Sequence, residues 1–226
     1  MIQVFKPHLR LNDIYSVLRT LLKNNISGTS PVVQEFEYKL AKKFDRKYAV
    51  AVSNGSVALD LVFQTLDLNE DDEVILPSFT IISCLAAVIR SKAKPVFCDV
   101  DSETWNMTLD NIKTKYTNKT KAVLMVHTYG LPADAVNISN FCEEKNLILI
   151  EDAAEAHGQS IENLRCGSFG FISTFSFYSN KHITTGEGGA ILTDSEEVYN
   201  LAKQMRNLDF TPKQRFKHKN LYWNYR

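Results

Sequence analysis

The sequence lacks several features that would point to particular classes of protein. Its 226 residues carry 26 Lys or Arg and 26 Asp or Glu, so no excess of charge favours nucleic acid or an anionic membrane as a partner. The most apolar stretch, residues 74–89, is shorter than the roughly 20 residues that span a bilayer. Neither GxGxxG nor GxxxxGKS/T occurs, which weighs against a dinucleotide or nucleoside triphosphate site. Any recognition of an anion must therefore be local.

Cysteine is also scarce. Four widely spaced cysteines, none in a CxxC pair, lie mostly in apolar segments: Cys84, Cys98, Cys142 and Cys166. We expect reduced thiols in the core of a cytoplasmic protein. With 44% hydrophobic and 23% charged residues, the composition is that of a folded globular chain.

From Tyr48 onwards, runs rich in β-branched and apolar residues alternate with helical patterns. Strands are predicted at 47–53, 72–77, 94–101, 121–130 and 146–152, and helices at 55–66, 80–91, 109–116 and 133–145. This alternation predicts an α/β fold with a mostly parallel sheet and helices on both faces. Two earlier helices, near 12–23 and 32–44, are predicted as packing elements.

One lysine, Lys181, stands between an aromatic strand pattern and a glycine-rich turn in TFSFYSNKHITTGEGG, residues 174–189. It therefore lies on a connection and not on a helix face. Apolar and aromatic neighbours would favour a neutral amine, which is the form that makes a Schiff base. Most lysines are solvated surface residues, so this alternative stays open.

A carboxylate, Asp152, follows the buried-strand pattern LILIED. In open α/β sheets ligands bind at the carboxyl ends of the strands, where a carboxylate can pair with a cationic ring nitrogen. Pyridoxal phosphate enzymes need this combination of a lysine and an acidic residue. The alternative is that Asp152 caps a helix beginning in AAEAHG.

At residues 53–58, SNGSVA, a predicted strand gives way to a helix through small residues. The free amides of Gly55 and Ser56, with the Ser56 hydroxyl, could bind a phosphate there. Equally, Ser53 or Asn54 could be no more than a helix N-cap.

Taken together, VSNGSVALDL, LIEDAAEAHG and TFSFYSNKHITTGEGGAILT resemble the pyridoxal phosphate-dependent sugar aminotransferases, the DegT/DnrJ/EryC1/StrS family that includes the perosamine synthetases. DSETWNM and the final WNYR are similar to that subgroup. The resemblance implies fold type I, with residues 1–30 as an N-terminal segment and helix and residues 31–226 as the large domain. It also implies that a smaller C-terminal domain is missing.

The resemblance implies roles for individual residues. Lys181 would form the Schiff base with pyridoxal 5′-phosphate, and Asp152 would pair with the ring nitrogen. The cofactor phosphate would be held by Gly55, Ser56 and Ser176. An asparagine of the second subunit, Asn224, would also reach this phosphate, so the protein would be a homodimer.

Two further positions match the family with a change of residue. Glu155 stands where many members have a glutamine near the 3-oxygen of the cofactor. Ile81 stands where many place an aromatic residue against the ring, and apolar contacts can substitute for stacking there. Relatives that remove a sugar hydroxyl carry histidine at the lysine position, whereas this chain has Lys181 with His182 beside it.

These implications favour amine transfer, with L-glutamate as donor, onto a nucleotide-linked 4-keto-6-deoxy sugar for a surface polysaccharide or other glycan. A 3-keto sugar aminotransferase of the same family is the alternative enzyme. A non-catalytic or regulatory protein that keeps the cofactor fold is the alternative from another class. No nucleic acid, membrane or metal is expected to bind.

Overall fold

The computed structural model describes residues 6–208, so Asn224 lies outside the described residues. Seven helices are present in this part: α1 (Leu11–Leu22), α2 (Pro31–Lys43), α3 (Gly55–Gln64), α4 (Ile82–Arg90), α5 (Leu109–Lys115), α6 (Ala135–Glu144) and α7 (Glu196–Arg206). Nine strands accompany them: β1 (Tyr48–Val52), β2 (Glu73–Pro77), β3 (Lys94–Cys98), β4 (Thr120–Val126), β5 (Ile148–Asp152), β6 (Ser160–Ile161), β7 (Leu164–Arg165), β8 (Ile172–Ser176) and β9 (Gly189–Thr193).

Seven of the strands form one sheet in the order β1-β9-β8-β5-β4-β2-β3, and β6 pairs only with β7. The neighbours from β8 to β3 are parallel, whereas β9 is antiparallel to both β8 and β1. The predicted mostly parallel sheet is confirmed, with β9 as its one reversed strand among the described residues. Asp152 pairs with Val126 of β4 and with Thr174 of β8, so these three strands end at nearly the same level.

Alternate strand residues feed two opposite layers of the core because side chains along a strand point to opposite faces. Val74 and Leu76 of β2 pack with α3, α4 and α7, whereas Ile75 between them packs with α5 and α6. A third cluster joins α2 to β1, β8 and β9. Buried apolar runs on both faces are what a parallel sheet requires.

Helix α1 forms where predicted, but it does not pack. No residue of α1 is buried, and its apolar side chains are exposed. The prediction that α1 is a packing element is therefore wrong within the described residues. Helix α2 does pack, through Phe36, Leu40 and Ala41.

All four cysteines of the chain lie in the described part, and each is buried as a free thiol, as predicted. Among residues 6–208, no helix has both the length and the apolar character to cross a membrane.

Candidate functional site

A cavity of about 610 Å³ opens at the edge of the sheet where β2, β4, β5 and β8 end. Strand β1 runs in the same direction as β8, so the turn from β1 into α3 reaches this edge too. The cavity is lined by residues from these connections, among them Asn54, Gly55, Ser56, Phe79, Ile81, His127, Tyr129, Asp152, Glu155, Ser176 and Lys181. Seven of the eight site residues predicted from the sequence are thus brought together.

Lys181 lies on the connection between β8 and β9, as predicted. Its backbone N–H donates to the carbonyl of Tyr178 at 3.0 Å, which fixes a turn just after the strand. Its Nζ reaches into the cavity and donates to Glu155 Oε1 at 2.7 Å, and its side chain is mostly buried. The alternative of a solvated surface lysine is therefore wrong.

Asp152 ends β5 with its carboxylate buried in the cavity wall. Burial raises the pKa of this carboxyl group, although the amide of Ala154 donates to Oδ1 at 3.0 Å and opposes that rise. The Cys84 thiol also donates, to Oδ2 at 3.4 Å, because burial and the nearby Asp152 raise the pKa of Cys84 well above its ordinary value. No helix follows within residues 153–159, so the alternative of a helix N-cap is wrong.

The turn from β1 into α3 forms where SNGSVA predicts it. Asn54 is the N-cap of α3, since its side chain accepts the amide of Val57 at 2.9 Å. The cap and the anion site do not exclude each other, because Gly55 and Ser56 line the cavity at the first turn of the same helix.

Gly55 has a steric reason to lack a side chain. A Cβ at Gly55 would lie 2.9 Å from the Cβ of Ser176, so α3 packs directly on the end of β8. A Cβ at Gly189, the first residue of β9, would lie even closer to the backbone of Asn54. These contacts bring the Ser176 hydroxyl and the first turn of α3 to one end of the cavity.

Beneath the cavity, Glu151 forms a hydrogen-bonded centre that supports the strand ends. It accepts from His127 Nε2 at 2.9 Å, from the amides of Phe169 and Gly170 and from the Ser173 hydroxyl. Although burial opposes its charge, these hydrogen bonds hold the pKa of Glu151 below its ordinary value. The sequence analysis singled out Asp152 of this pair and missed the part that Glu151 plays.

His127 follows β4 at the same edge and is fully buried. Burial favours the neutral ring of His127, whereas its contacts with Cys166 and Glu151 favour the charged ring and raise its pKa. The amide of Ala133 decides between these forms, because it donates to Nδ1 at 3.0 Å and this nitrogen therefore carries no proton. The neutral ring then donates from Nε2 to Glu151. His157 is a second neutral imidazole, packed against Phe175 at 5.4 Å between ring centroids. Burial, with help from His182 and Lys181, lowers the pKa of His157 to about 4. At neutral pH neither ring adds positive charge near Lys181.

The cavity residues that the sequence analysis missed include Phe79, His127 and Tyr129. The available signal was their position, because Phe79 follows the strand predicted at 72–77, and His127 and Tyr129 lie at the carboxyl end of the strand predicted at 121–130. All three were therefore placed near the same edge as Asp152. Tyr129 is also tied to the site directly, because its amide donates to Glu155 Oε2 at 2.9 Å. Glu155 thus binds Lys181 with one oxygen and Tyr129 with the other.

Ile81 lines the cavity as the N-cap residue of α4, but its side chain is 62% exposed. Its apolar surface faces a space that a ring could fill.

Comparisons with known proteins agree with this geometry. A GDP-perosamine synthase from Escherichia coli O157:H7 is 40% identical over 225 residues, which cover 100% of this chain and 62% of that relative's length. The solved structure of an aminotransferase from Psychrobacter cryohalolentis has a TM-score of 0.87 at 34% identity, covering 96% of this chain and 56% of its own. A GDP-4-keto-6-deoxymannose-3-dehydratase variant with bound GDP-perosamine has a TM-score of 0.79 at 33% identity, over 83% of this chain and 50% of its own.

These likenesses confirm the predicted fold class, the α/β/α architecture of pyridoxal phosphate-dependent transferases of fold type I. The chain spans about three fifths of the length of the curated relatives it matches. A sequence model of the DegT/DnrJ/EryC1/StrS aminotransferase family matches residues 10–226. With that match and 40% identity along its whole length to a curated relative, the chain belongs to the DegT/DnrJ/EryC1/StrS aminotransferase family.

Proposed function

We propose that the intact protein is a pyridoxal phosphate-dependent aminotransferase that acts on a nucleotide-linked 4-keto-6-deoxy sugar. The observation that carries this proposal is that one cavity is lined by a lysine amine, a buried carboxylate and the first turn of a helix. L-Glutamate would give up its amine and leave as 2-oxoglutarate, and the sugar would exchange its keto oxygen for that amine. The names of the E. coli relative and of the ligand in the dehydratase structure support a GDP-linked sugar of this class.

The residues present fit pyridoxal 5′-phosphate. The amides of Gly55 and Ser56, with the hydroxyls of Ser56 and Ser176, would hold the phosphate at the positive end of α3. Because Gly55 has no side chain, α3 packs directly against Ser176, and these groups lie close together. Ile81 would pack on the ring, and Glu155 would lie near its 3-oxygen. When bound, this cofactor supplies an electron-accepting ring that stabilises negative charge on the carbon beside the amine.

Asp152 would keep a proton on the ring nitrogen. A buried carboxylate is costly without a cationic partner, and burial raises the pKa of Asp152. A protonated ring nitrogen would be such a partner. This residue would thereby make the ring a better electron acceptor.

Lys181 would provide the reactive amine. Its Nζ would accept a proton from the carbon that carries the amine and return it to the carbon on the other side of the amine nitrogen, which requires a basic group that can reach both atoms. Glu155 positions Nζ through the 2.7 Å ion pair, and the neutral His157 behind it adds no competing charge.

We further propose a cytoplasmic homodimer in which Asn224 reaches the phosphate bound by the other subunit. Residues 1–30 would form the N-terminal segment, and residues 31–226 the large domain. The four buried free thiols support a reducing compartment. Sedimentation of the intact protein with its cofactor tests the dimer, and a fully loaded monomer would contradict the shared site.

The proposed reaction is tested with the intact protein, pyridoxal phosphate, L-glutamate and a panel of nucleotide-linked 3-keto and 4-keto sugars. We expect an amine at C4 of a 6-deoxy sugar by NMR, with 2-oxoglutarate formed in equal amount. Lys181→Arg should abolish product, because arginine keeps the charge but offers no transferable neutral amine. Lys121→Ala, an exposed position on β4, is the matched control and should leave the rate unchanged. An amine at C3 or a dehydrated product would contradict the proposal.

A further inference from the structure

Three aromatic side chains lie together at the mouth of the cavity, one from each connection after β2, β3 and β4. These are Phe79, Trp105 and Tyr129, which we call the aromatic platform. The ring centroid of Phe79 lies 5.2 Å from that of Trp105 and 6.2 Å from that of Tyr129. The centroids of Trp105 and Tyr129 are 6.0 Å apart. The platform is continuous with the cavity because Phe79 and Tyr129 also line it.

The rings of the platform remain open to a ligand. They meet at interplanar angles of 57° to 73°, so they do not cover one another's faces. Phe79 is 41% exposed, Trp105 47% and Tyr129 70%. Large aromatic groups are costly to leave in water, so three of them side by side indicate a contact that the described chain alone does not provide.

The backbone at two of these residues is strained. Trp105 has φ of 58° and Tyr129 has φ of 52°, in the left-handed region that bulky side chains rarely adopt. Such outliers persist only where the surroundings enforce them, and they concentrate at binding sites. The Trp105 amide donates to the Asp101 carbonyl at 2.8 Å, and the Tyr129 amide donates to Glu155.

A buried asparagine joins the two strained connections. Asn106 accepts the amide of Thr128 at 2.9 Å and donates to the carbonyl of Leu131 at 3.0 Å. The Thr128 hydroxyl donates to the carbonyl of Trp105 at 3.2 Å. The backbone positions of Trp105 and Tyr129 are therefore fixed by hydrogen bonds within the chain.

The platform is also tied to the reactive amine. Glu155 binds Lys181 Nζ at 2.7 Å with one oxygen and the Tyr129 amide at 2.9 Å with the other. A long substrate whose reacting carbon lies at Lys181 would extend from the cavity over the platform. The part of a sugar nucleotide that lies farthest from the keto carbon is the flat base, and aromatic side chains bind bases by stacking.

We propose that the aromatic platform binds the base of the nucleotide-linked sugar by stacking, which rests on the proposed function. The platform recognises a flat heteroaromatic ring. It therefore contributes to the affinity for the nucleotide and not to the chemistry at Lys181.

The test measures calorimetric affinity of the intact, cofactor-loaded protein for GDP, UDP and dTDP, with inorganic pyrophosphate as the probe that lacks a base. At least one nucleoside diphosphate should bind more tightly than pyrophosphate. Trp105→Leu and Tyr129→Leu should each weaken the tightest of the three by about tenfold or more, while pyrophosphate affinity stays unchanged. Tyr129→Phe keeps the ring and should stay within about twofold of the wild type.

Tyr38→Leu is the matched control, because Tyr38 is 60% exposed on α2 and takes no part in the platform. Melting curves identify any variant that fails to fold, and Phe79→Leu provides an independent third position. The proposal is overturned if nucleoside diphosphates bind no more tightly than pyrophosphate, or if the leucine variants change the sedimenting species without changing nucleotide affinity. The latter result would assign the platform to a subunit contact. Failure of the proposed function is a separate result, seen when no keto sugar gains an amine with the wild-type protein.

Discussion

The charge of Asp152 is opposed by its own burial, and this single carboxylate links the stability of the chain to its proposed chemistry. Its pKa is raised because it is removed from water. A group with a raised folded pKa stabilises the protonated protein at low pH, and that contribution is lost as the pH rises through the folded pKa. In the protein without cofactor, burial therefore disfavours the charged form of Asp152.

Asp152→Asn should make the cofactor-free protein more stable at pH 7, because the amide removes the charge and keeps an acceptor for Ala154. The stability gain should shrink as the pH falls through the range in which the carboxylate of the wild type is protonated. The transamination rate should fall by about 100-fold or more, because the ring nitrogen loses its proton-holding partner. Thermal melts from pH 4 to 8 and steady-state rates check this. Near-normal turnover would mean that Asp152 has only a structural role.

At single positions, the sequence predicts a site residue where a charged side chain stands next to a buried-strand or glycine-rich turn pattern. Lys181 beside a glycine-rich turn and Asp152 after a buried strand could both be predicted in this way. The dual contact of Glu155 could not, because it depends on the left-handed backbone of Tyr129, which no local pattern indicates. The neutrality of His127 likewise depends on the amide of Ala133, which only the folded chain brings to Nδ1.

At the scale of secondary-structure elements, β1 needs protection because it lies at the edge of the sheet. Glu37 of α2 accepts the amide of Ala51 at 2.9 Å, and Arg206 of α7 donates to the carbonyl of the same residue at 2.8 Å. Glu37 and Arg206 also pair with each other. Two helices thus bind the backbone amide and carbonyl of Ala51, which would otherwise be free to pair with another strand.

We predict that Glu37→Leu alone lowers the free energy of unfolding by about 3 kcal/mol, because it leaves Arg206 without its partly buried partner. The double variant Glu37→Leu/Arg206→Leu should be destabilised by clearly less than the sum of the two single changes. Denaturant unfolding of all four proteins gives the coupling. The exposed pair of Glu35 and Lys39 on the same helix is the control, and Glu35→Leu should change stability by less than about 0.5 kcal/mol. Additive effects at Glu37 and Arg206 would contradict the edge-closing role.

The elements themselves follow from sequence periodicity, and their ends differ from the prediction by only a few residues. The strand predicted at 121–130 stops at Val126, because His127 turns into the cavity edge and the chain then forms a tight turn at Thr128–Gly130. Periodicity also predicts the amphipathic character of α1, but not what it contacts. A pattern of apolar residues shows that a helix has a face to bury, and only the tertiary structure shows whether a surface is there to receive it.

At the scale of the whole molecule, the site exists because the carboxyl ends of the parallel strands lie at one edge of the sheet. Loops after β2, β4, β5 and β8 and the first turn of α3 supply the cavity wall, so residues as distant in the chain as Asn54 and Glu187 line one cavity. The alternating pattern predicts this convergence in outline. Which face of the cavity each loop supplies depends on the strand order, and the reversed strand β9 between β1 and β8 could not be predicted from the pattern.

The most direct test of the account is to find which lysine carries pyridoxal phosphate. The intact protein is loaded with the cofactor, reduced with borohydride, digested and mapped by peptide mass spectrometry. We predict a pyridoxyl group on Lys181, with no label at that peptide in Lys181→Arg and unchanged labelling in Lys121→Ala. A label on another lysine, or none on the wild type, would contradict the central claim that this cavity holds the reactive amine.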